Sequence, residues 1–285
     1  MPELPEVETI KKELEHALVG KKIIDVIVNN PKVIREPKKD DFVEGLKNVI
    51  IKNILRKGKL LILELSSGKS LSIHLKMTGQ LILRRPLNIS PERAQRVEGL
   101  VYPGNAKKSR ISFKLSDGKL LDFNDQRLFA ELRLVDDWHN LKFIQSLGPE
   151  PFDIKVEKFK AMLGAKKTKI KPLLMDQAFL CGIGNLYAAE VLFRAKIHPE
   201  RSAASLSDRQ KEVLFKEIKD TLREAIKHKG SSVDQYVQLS GNPGDYAKYH
   251  KVYDRQGKPC LICKTPIKRT SLGGRGTYFC PKCQK

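Results

Sequence analysis

Ile111-Ser112-Phe113-Lys114-Leu115-Ser116-Asp117-Gly118-Lys119-Leu120-Leu121-Asp122-Phe123 is the stretch that decides the fold. Apolar and polar residues alternate up to Leu115, the chain turns at Asp117-Gly118, and an apolar run resumes. Alternation with period two marks a strand with one buried face, and Asp-Gly between two such runs marks a β-hairpin. The texture spreads outward. Leu71-Ser72-Ile73-His74-Leu75 alternates in the same way. Leu60-Leu61-Ile62-Leu63-Glu64-Leu65 runs into the turn residues Ser66-Ser67-Gly68-Lys69, and Ile23-Ile24-Asp25-Val26-Ile27-Val28 is β-branched and apolar. Strands at this spacing across residues 22–135 predict a β-sandwich or barrel. The polar stretch 86–104, with three prolines, reads as an exposed loop.

The flanks are helical. Before the strands, Val7, Ile10, Leu14 and Leu18 keep the 3–4 spacing of one buried helix face over residues 4–18, and Gly20 ends it. After them, Leu147-Gly148-Pro149-Glu150-Pro151 reads as a hinge. Helices are predicted over 156–163, 170–175 and 185–195. Ser207 with Gln210 has the form of a capping box, opening a helix that turns Leu214, Ile218, Leu222 and Ile226 inward and closes before Gly230. Residues 240–245, rich in Gly, Pro and Asn, are expected to be mobile. The expected architecture is α+β and multi-domain: a helix plus β-sandwich over 1–135, a linker over 136–152, a helical domain over 153–245 and a small C-terminal unit over 246–285.

That last unit is marked by Cys260-x2-Cys263, sixteen intervening residues and Cys280-x2-Cys283. Each pair brings two sulfurs to one turn, and two turns complete a tetrahedron, so the spacing predicts a four-thiolate zinc site. Iron in a rubredoxin-like site uses the same ligands. Four thiolates leave no open position, so the metal is structural. The fifth cysteine, Cys181, reads as a small buried hydrophobe.

The 285 residues carry 54 Lys and Arg against 33 Asp and Glu, a net charge of +21. Such an excess points to a polyanion, most simply nucleic acid, with a solvated basic surface or a ribosome-like tether as the rival readings. Charges at Glu3, Glu6, Glu8, Lys11 and Lys12 exclude a signal peptide, and no apolar run is long enough to cross a membrane. The expected location is the cytoplasm, in association with the nucleoid.

The chain begins Met1-Pro2-Glu3-Leu4-Pro5-Glu6. Removal of Met1 exposes a proline amine with a pKa of roughly 8, against about 10.4 for lysine, so a useful fraction is nucleophilic near neutrality. Such an amine can form a Schiff base, and Glu3 and Glu6 place carboxylates beside it for proton transfer. Taken alone, a Pro-Glu start is more often an ordinary polar terminus. Gly273-Gly274-Arg275-Gly276-Thr277, between the cysteine pairs, fits either a tip presenting Arg275 to a phosphate or a glycine turn with a solvated arginine. Gly182-Ile183-Gly184-Asn185 fits a helix N-terminus that seats a phosphate, with Lys166, Lys167, Lys169 and Lys171 upstream, or a plain turn with solvated lysines.

Together these stretches resemble the bacterial formamidopyrimidine-DNA glycosylases over the whole chain. The resemblance is carried by residues 1–9 and by Arg56-Lys57-Gly58-Lys59-Leu60-Leu61 and His74-Leu75-Lys76-Met77-Thr78-Gly79. It continues through Gly182-Ile183-Gly184-Asn185, Ala195-Lys196-Ile197-His198-Pro199 and Gly274-Arg275-Gly276-Thr277. It implies a helix–two-turn–helix DNA-binding domain, a zinc-finger β-hairpin, and damaged double-stranded DNA bound by a monomer in a cleft between two lobes. It also implies excision of 8-oxoguanine and formamidopyrimidines, then strand cleavage by β,δ-elimination. By resemblance, Pro2 is the nucleophile, Glu3 a proton donor, and Lys59 and Arg275 serve the two eliminations. Glu6 supports the pocket. Met77, Arg127 and Phe129 form a wedge that replaces the flipped base; by residue type alone Met77 and Phe129 read as sandwich core. Lys108, Lys167 and Asn185 meet DNA phosphates.

The chain departs from the family at Leu128, where an arginine is usual, at Lys107-Lys108-Ser109-Arg110, which replaces a His-rich stretch, and at Tyr253-Asp254-Arg255, which replaces a Tyr-Gly-Arg lead into the finger. Two alternatives stand beside this reading. An endonuclease VIII-type glycosylase acts on oxidised pyrimidines but typically has Gly where this chain has Leu4, and lacks the wedge. A non-catalytic zinc protein that only binds DNA needs neither Pro2 nor Glu3.

Overall fold

The structure, a computed structural model, describes residues 1–84, 109–164 and 166–285. The loop expected at 86–104 and the DNA contact expected at Lys108 lie outside the described residues. The chain divides into two compact units. The first comprises Met1–Pro2, Glu6–Leu141 and Lys229–Asp245. The second comprises Glu3–Pro5, Lys142–His228 and Tyr246–Lys285. Lys229–Asp245, grouped with the helices in the sequence reading, thus packs with the sandwich.

Helix α1 spans Leu4–Leu18, as its periodicity predicts. The strands of the first unit are β1 (Lys22–Val28), β2 (Ile34–Glu36), β3 (Val49–Lys57), β4 (Leu60–Leu65) and β5 (Ser70–His74). They continue as β6 (Gly79–Arg84), β7 (Ser109–Leu115), β8 (Leu120–Asp125) and β9 (Glu131–Val135), with a short helix α2 (Lys39–Glu44) after β2. Their order is β2-β9-β5-β4-β3-β1-β7-β8-β6. Among the described strands only β2 and β9 pair in parallel. The ribbon folds over at β1, which pairs with β3 through Lys22 and Ile23 alone and with β7 along the rest, with a register shift between Ile23 and Asp25. Strands that change sheet at such an irregularity form the corners of sandwiches. Ile54, Leu63 and Ile73 from one half meet Leu81, Phe113 and Phe123 from the other in a single buried core. The α1 face of Val7, Ile10, Leu14 and Leu18 joins the same core. Each fully buried side chain of this kind contributes about 1.5–3 kcal/mol.

The deciding hairpin is β7–β8. Leu115 and Lys119 close it, the Leu115 N–H donating to Lys119 O at 2.9 Å. Gly118 takes φ +79° inside it, a left-handed position that favours glycine.

The second unit holds α3 (Lys142–Gln145), α4 (Val156–Gly164), α5 (Ile170–Met175), α6 (Asn185–Arg194) and α7 (Asp208–Lys227), then the hairpin β10 (Lys268–Leu272) and β11 (Arg275–Phe279). The predicted capping box is present: Gln210 N donates to Ser207 Oγ at 3.3 Å and Ser207 N to Gln210 Oε1 at 3.1 Å. Leu214, Ile218 and Leu222 of α7 pack with Phe159, Tyr187 and Val191 in a second core. A third, smaller cluster joins Ala189 and Phe193 of α6 to Val252, Ile267, Cys260 and Cys280.

Candidate active site

Pro2 is buried and Met1 is 43% exposed. Glu3, the next residue, is only 5% exposed, and its environment explains how a carboxylate tolerates that. It lies at the N-terminus of α6 and accepts three main-chain N–H groups, from Gly184 at 2.6 Å, Leu186 at 3.0 Å and Tyr187 at 3.4 Å. The first turn of a helix leaves N–H groups without intrahelical partners, and a carboxylate there also meets the positive end of the helix dipole. Gly184 of the Gly182–Asn185 turn and the next helical residues Leu186 and Tyr187 therefore give three donors to Glu3, where the sequence suggested a phosphate seat. A Cβ at 184 would lie 2.5 Å from the Glu3 carboxyl, so any larger residue there must push Glu3 out of this seat.

Within the first unit, Lys59 follows Gly58 in the two-residue turn between β3 and β4. Gly58 has φ +57°, and Lys59 is 8% exposed. Arg56 braces this turn by donating from its η1 nitrogen to Gly58 O at 3.0 Å and from Nε to Glu8 of α1 at 2.7 Å. Glu6, 2% exposed, accepts the Ser231 N–H at 2.8 Å. Glu13 accepts the Leu239 N–H at 2.8 Å. Two carboxylates of α1 thus hold the Lys229–Asp245 segment. The loop at 240–245, expected to be mobile, is itself tied down: Gln238 N donates to Asn242 O and Gly244 N to Ser232 Oγ, both at 2.8 Å. His74 sits on the same unit with its pKa lowered from 6.5 to about 4, first by burial and then by Lys76. It is neutral near pH 7, and its Nδ1 accepts the Lys76 N–H at 3.0 Å.

In the second unit, Lys171 departs from the solvated reading of its neighbours. It is 1% exposed, and its Nζ donates to Asn185 Oδ1 at 2.6 Å, Thr277 Oγ1 at 2.8 Å and Gly276 O at 3.4 Å. Burial lowers its pKa from 10.5 to about 8, against the pull of Glu3. The Asn185 amide donates to Gly276 O at 3.1 Å. Asn185 and Lys171 together fasten the hairpin whose turn, Gly273 at φ +58° and Gly274 at φ +71°, carries the exposed Arg275. Lys167 is exposed.

The four cysteine sulfurs lie within 4.8 Å of one another. Cys260 and Cys283 are 3.9 Å apart and Cys263 and Cys280 3.4 Å. Thiolates about 2.3 Å from one ion, at tetrahedral angles, stand about 3.8 Å apart, so the set fits a closed four-sulfur metal centre. Buried Glu190 of α6 supports it by accepting the N–H groups of Lys251, Val252 and Tyr253 at 2.8–3.0 Å. Cys181 is fully buried, as expected.

Arg127 and Phe129 are exposed, Phe129 by 49%, so Phe129 is not core. The Arg127 guanidinium lies 4.7 Å from the Phe129 ring centre. Met77 is half-buried in the turn between β5 and β6. Leu128 takes φ +58° and packs against the sandwich core. The roles of Lys171, Glu8, Glu13 and Glu190 carry no mark in the sequence, because their partners are distant in the chain.

Three protein-family models match the chain: the formamidopyrimidine-DNA glycosylase N-terminal domain over residues 1–132, the H2TH domain of the same enzymes over 147–237, and a zinc finger found in these enzymes and in isoleucyl-tRNA synthetase over 257–285. The last selects zinc over iron at the four cysteines. The formamidopyrimidine-DNA glycosylase of Pelotomaculum thermopropionicum is 40% identical, over 100% of this chain and 99% of its own. That of Desulforamulus reducens is 41% identical over the same shares. Among solved structures, a Lactococcus lactis enzyme variant with DNA containing a formamidopyrimidine lesion superposes with a TM-score of 0.87 at 34% identity, covering 100% of both chains. The Lactococcus lactis enzyme with abasic-site DNA gives 0.86 at 33%, covering 99% of both.

Proposed function

The chain belongs to the formamidopyrimidine-DNA glycosylase family, and on that premise we propose that it excises oxidised purines from duplex DNA and then cleaves the strand at the abasic site. The observation that carries the site assignment is Glu3, fixed by three main-chain N–H groups next in sequence to a buried Pro2. To this carboxylate, next in sequence to the imino nitrogen, we assign the movement of protons while the nitrogen bonds to carbon.

The damaged nucleotide leaves the stack, which takes a few kcal/mol of unstacking. The Pro2 nitrogen, freed of Met1, attacks C1′ of the sugar and the base departs with a proton. The resulting Schiff base acidifies the C2′ hydrogen, so the 3′ phosphate leaves and then the 5′ phosphate. Lys59, held in its turn by Arg56, supplies a proton in the first elimination, and Arg275 serves the second. Glu6 shapes the pocket through Ser231. Met77, Arg127 and Phe129 fill the gap in the duplex, an apolar wedge replacing lost stacking and an arginine supplying donors to a base edge. Lys167, Asn185 and Arg275 face phosphates, the last two joined through Gly276. Zinc binds Cys260, Cys263, Cys280 and Cys283 and holds the hairpin's shape; it takes no part in bond making. Among the described residues no helix is long and apolar enough to cross a membrane. We read the protein as a monomer acting on chromosomal DNA in the cytoplasm.

The test is a pair of duplexes, one with 8-oxoguanine opposite cytosine and one with an oxidised pyrimidine. Faster release from the first, with phosphate on both sides of the gap, is expected. Preference for the second favours the endonuclease VIII-type reading, and binding without release from either favours a non-catalytic zinc protein.

A further inference from the structure

Met77 lies in one turn, and Arg127 and Phe129 lie in another. The two turns leave the sandwich side by side, because β6 and β8 are neighbours and Gly79, which opens β6, pairs with Asp125, which closes β8. A single side chain spans both. Asp125 is 1% exposed. Its Oδ1 accepts the Thr78 hydroxyl and, at 3.2 Å, the Arg127 N–H. Its Oδ2 accepts the Ala130 N–H at 2.8 Å. The Arg127 N–H is shared with Thr78 Oγ1, also at 3.2 Å. The carboxylate therefore grips both ends of the loop that carries Arg127 and Phe129, and through Thr78 it reaches the residue next to Met77. The Asp125 carbonyl is held in turn by Arg110 Nε at 2.8 Å.

Two further features show that these turns are held in one shape. Leu128, between the two exposed wedge residues, is a branched side chain at φ +58°, a conformation that costs on its own and persists only when its surroundings over-determine it. Gly79 admits no side chain, since a Cβ would lie 2.5 Å from Leu75 O.

We propose that Asp125 and Thr78 are positioning residues that lock the two turns into one rigid wedge, and that this lock sets discrimination for the base opposite the lesion. Neither residue touches DNA in this account. They fix the separation of Met77 from Arg127 and Phe129 before binding, so the duplex meets a preformed shape and the arginine's donors arrive at one base edge. The inference rests on reading Met77, Arg127 and Phe129 as the wedge of a glycosylase.

Thr78→Val is the informative variant, because it keeps the side-chain shape and removes the hydroxyl that joins the turns. Steady-state excision is measured on 8-oxoguanine duplexes with cytosine or adenine opposite. The Michaelis constant on the cytosine duplex is expected to rise about 10-fold, the scale of one charge-assisted hydrogen bond. The cytosine-over-adenine ratio is expected to fall as well, and Thr78→Ser to restore both. Asp125→Asn is expected to act in the same direction more strongly; should it not fold, Thr78→Val carries the test. If Thr78→Val matches the wild type in both quantities, the lock is refuted. A wild type that excises from neither duplex refutes instead the glycosylase reading on which the inference rests.

Discussion

Replacing Glu3 by glutamine preserves size and removes charge, so it isolates what the carboxylate does at the start of α6. Oε2 receives Gly184 N at 2.6 Å and Tyr187 N at 3.4 Å, and Oε1 receives Leu186 N at 3.0 Å. With the amide oxygen in place of Oε2, two of these bonds survive in weaker, neutral form. The amide NH2 then faces the Leu186 N–H, donor against donor, in a site that admits little water. Losing one hydrogen bond to a charged group costs about 1.5–3 kcal/mol. Losing the charge at a helix N-terminus adds about 0.3–1 kcal/mol. The sum, about 2–4 kcal/mol, corresponds to a fall of roughly 3–7 °C in unfolding midpoint for a protein of this size. Thermal unfolding of the zinc-loaded protein at pH 7 reads it directly. Excision is expected to be lost in the same variant. If Glu3→Gln melts with the wild type, the capping argument fails, whatever happens to activity.

Four other outcomes follow from the structure. His74 has its pKa lowered to about 4 in the folded protein against 6.5 for the free group, so between pH 6.5 and 4 the unfolded chain takes up a proton that the folded chain refuses. Stability should be complete above that window and fall by roughly 3–4 kcal/mol as pH drops through it, since each tenfold difference in proton affinity is worth about 1.4 kcal/mol; His74→Gln should flatten the pH dependence of urea unfolding over this range. Cys263→Ser is expected to lose zinc and DNA binding while the sandwich keeps its circular-dichroism signal, and retained binding would show that the finger is dispensable. Glu190→Gln weakens three N–H contacts leading into the finger and should speed zinc release to a chelator. Affinity for DNA should fall with salt at a log–log slope of about −0.9 per neutralised phosphate, and Arg275→Ala should make that slope shallower by about one phosphate; an unchanged slope would remove Arg275 from the phosphate contacts.

Much of the fold is legible in the sequence because it is written in local patterns. Alternation in 111–115 and 71–75, the Asp-Gly turn and the Ser207–Gln210 box each involve neighbours in the chain, and each is realised. Strand β3 is hidden because its register shifts between Ile51 and Asn53, which breaks the period of two. The site is less legible, for a different reason. Glu3 finds its donors more than 180 residues away, and Lys171 finds Thr277 at a separation of 106. In Lys166-Lys167-Thr168-Lys169-Ile170-Lys171, nothing local distinguishes the lysine that is buried from those that are not. Similarly, the Lys229–Asp245 segment lacks a strand or helix pattern, and it is attached to the sandwich by Glu6 and Glu13 of α1, by the buried Tyr236 and Leu239, and by the Leu83 N–H donating to Leu239 O. Pro2, Lys59 and Arg275 stand out through family resemblance, since a proline, a lysine in a turn and an arginine at a tip mean little by themselves.

The account turns on where the sugar becomes attached. Protein confirmed to lack Met1 is mixed with an 8-oxoguanine duplex, reduced with borohydride and digested for mass spectrometry. The reduced deoxyribose is expected on the peptide that begins at Pro2, bonded to its nitrogen. Finding it on Lys59 or any other lysine, with Pro2 unmodified, would contradict the central claim.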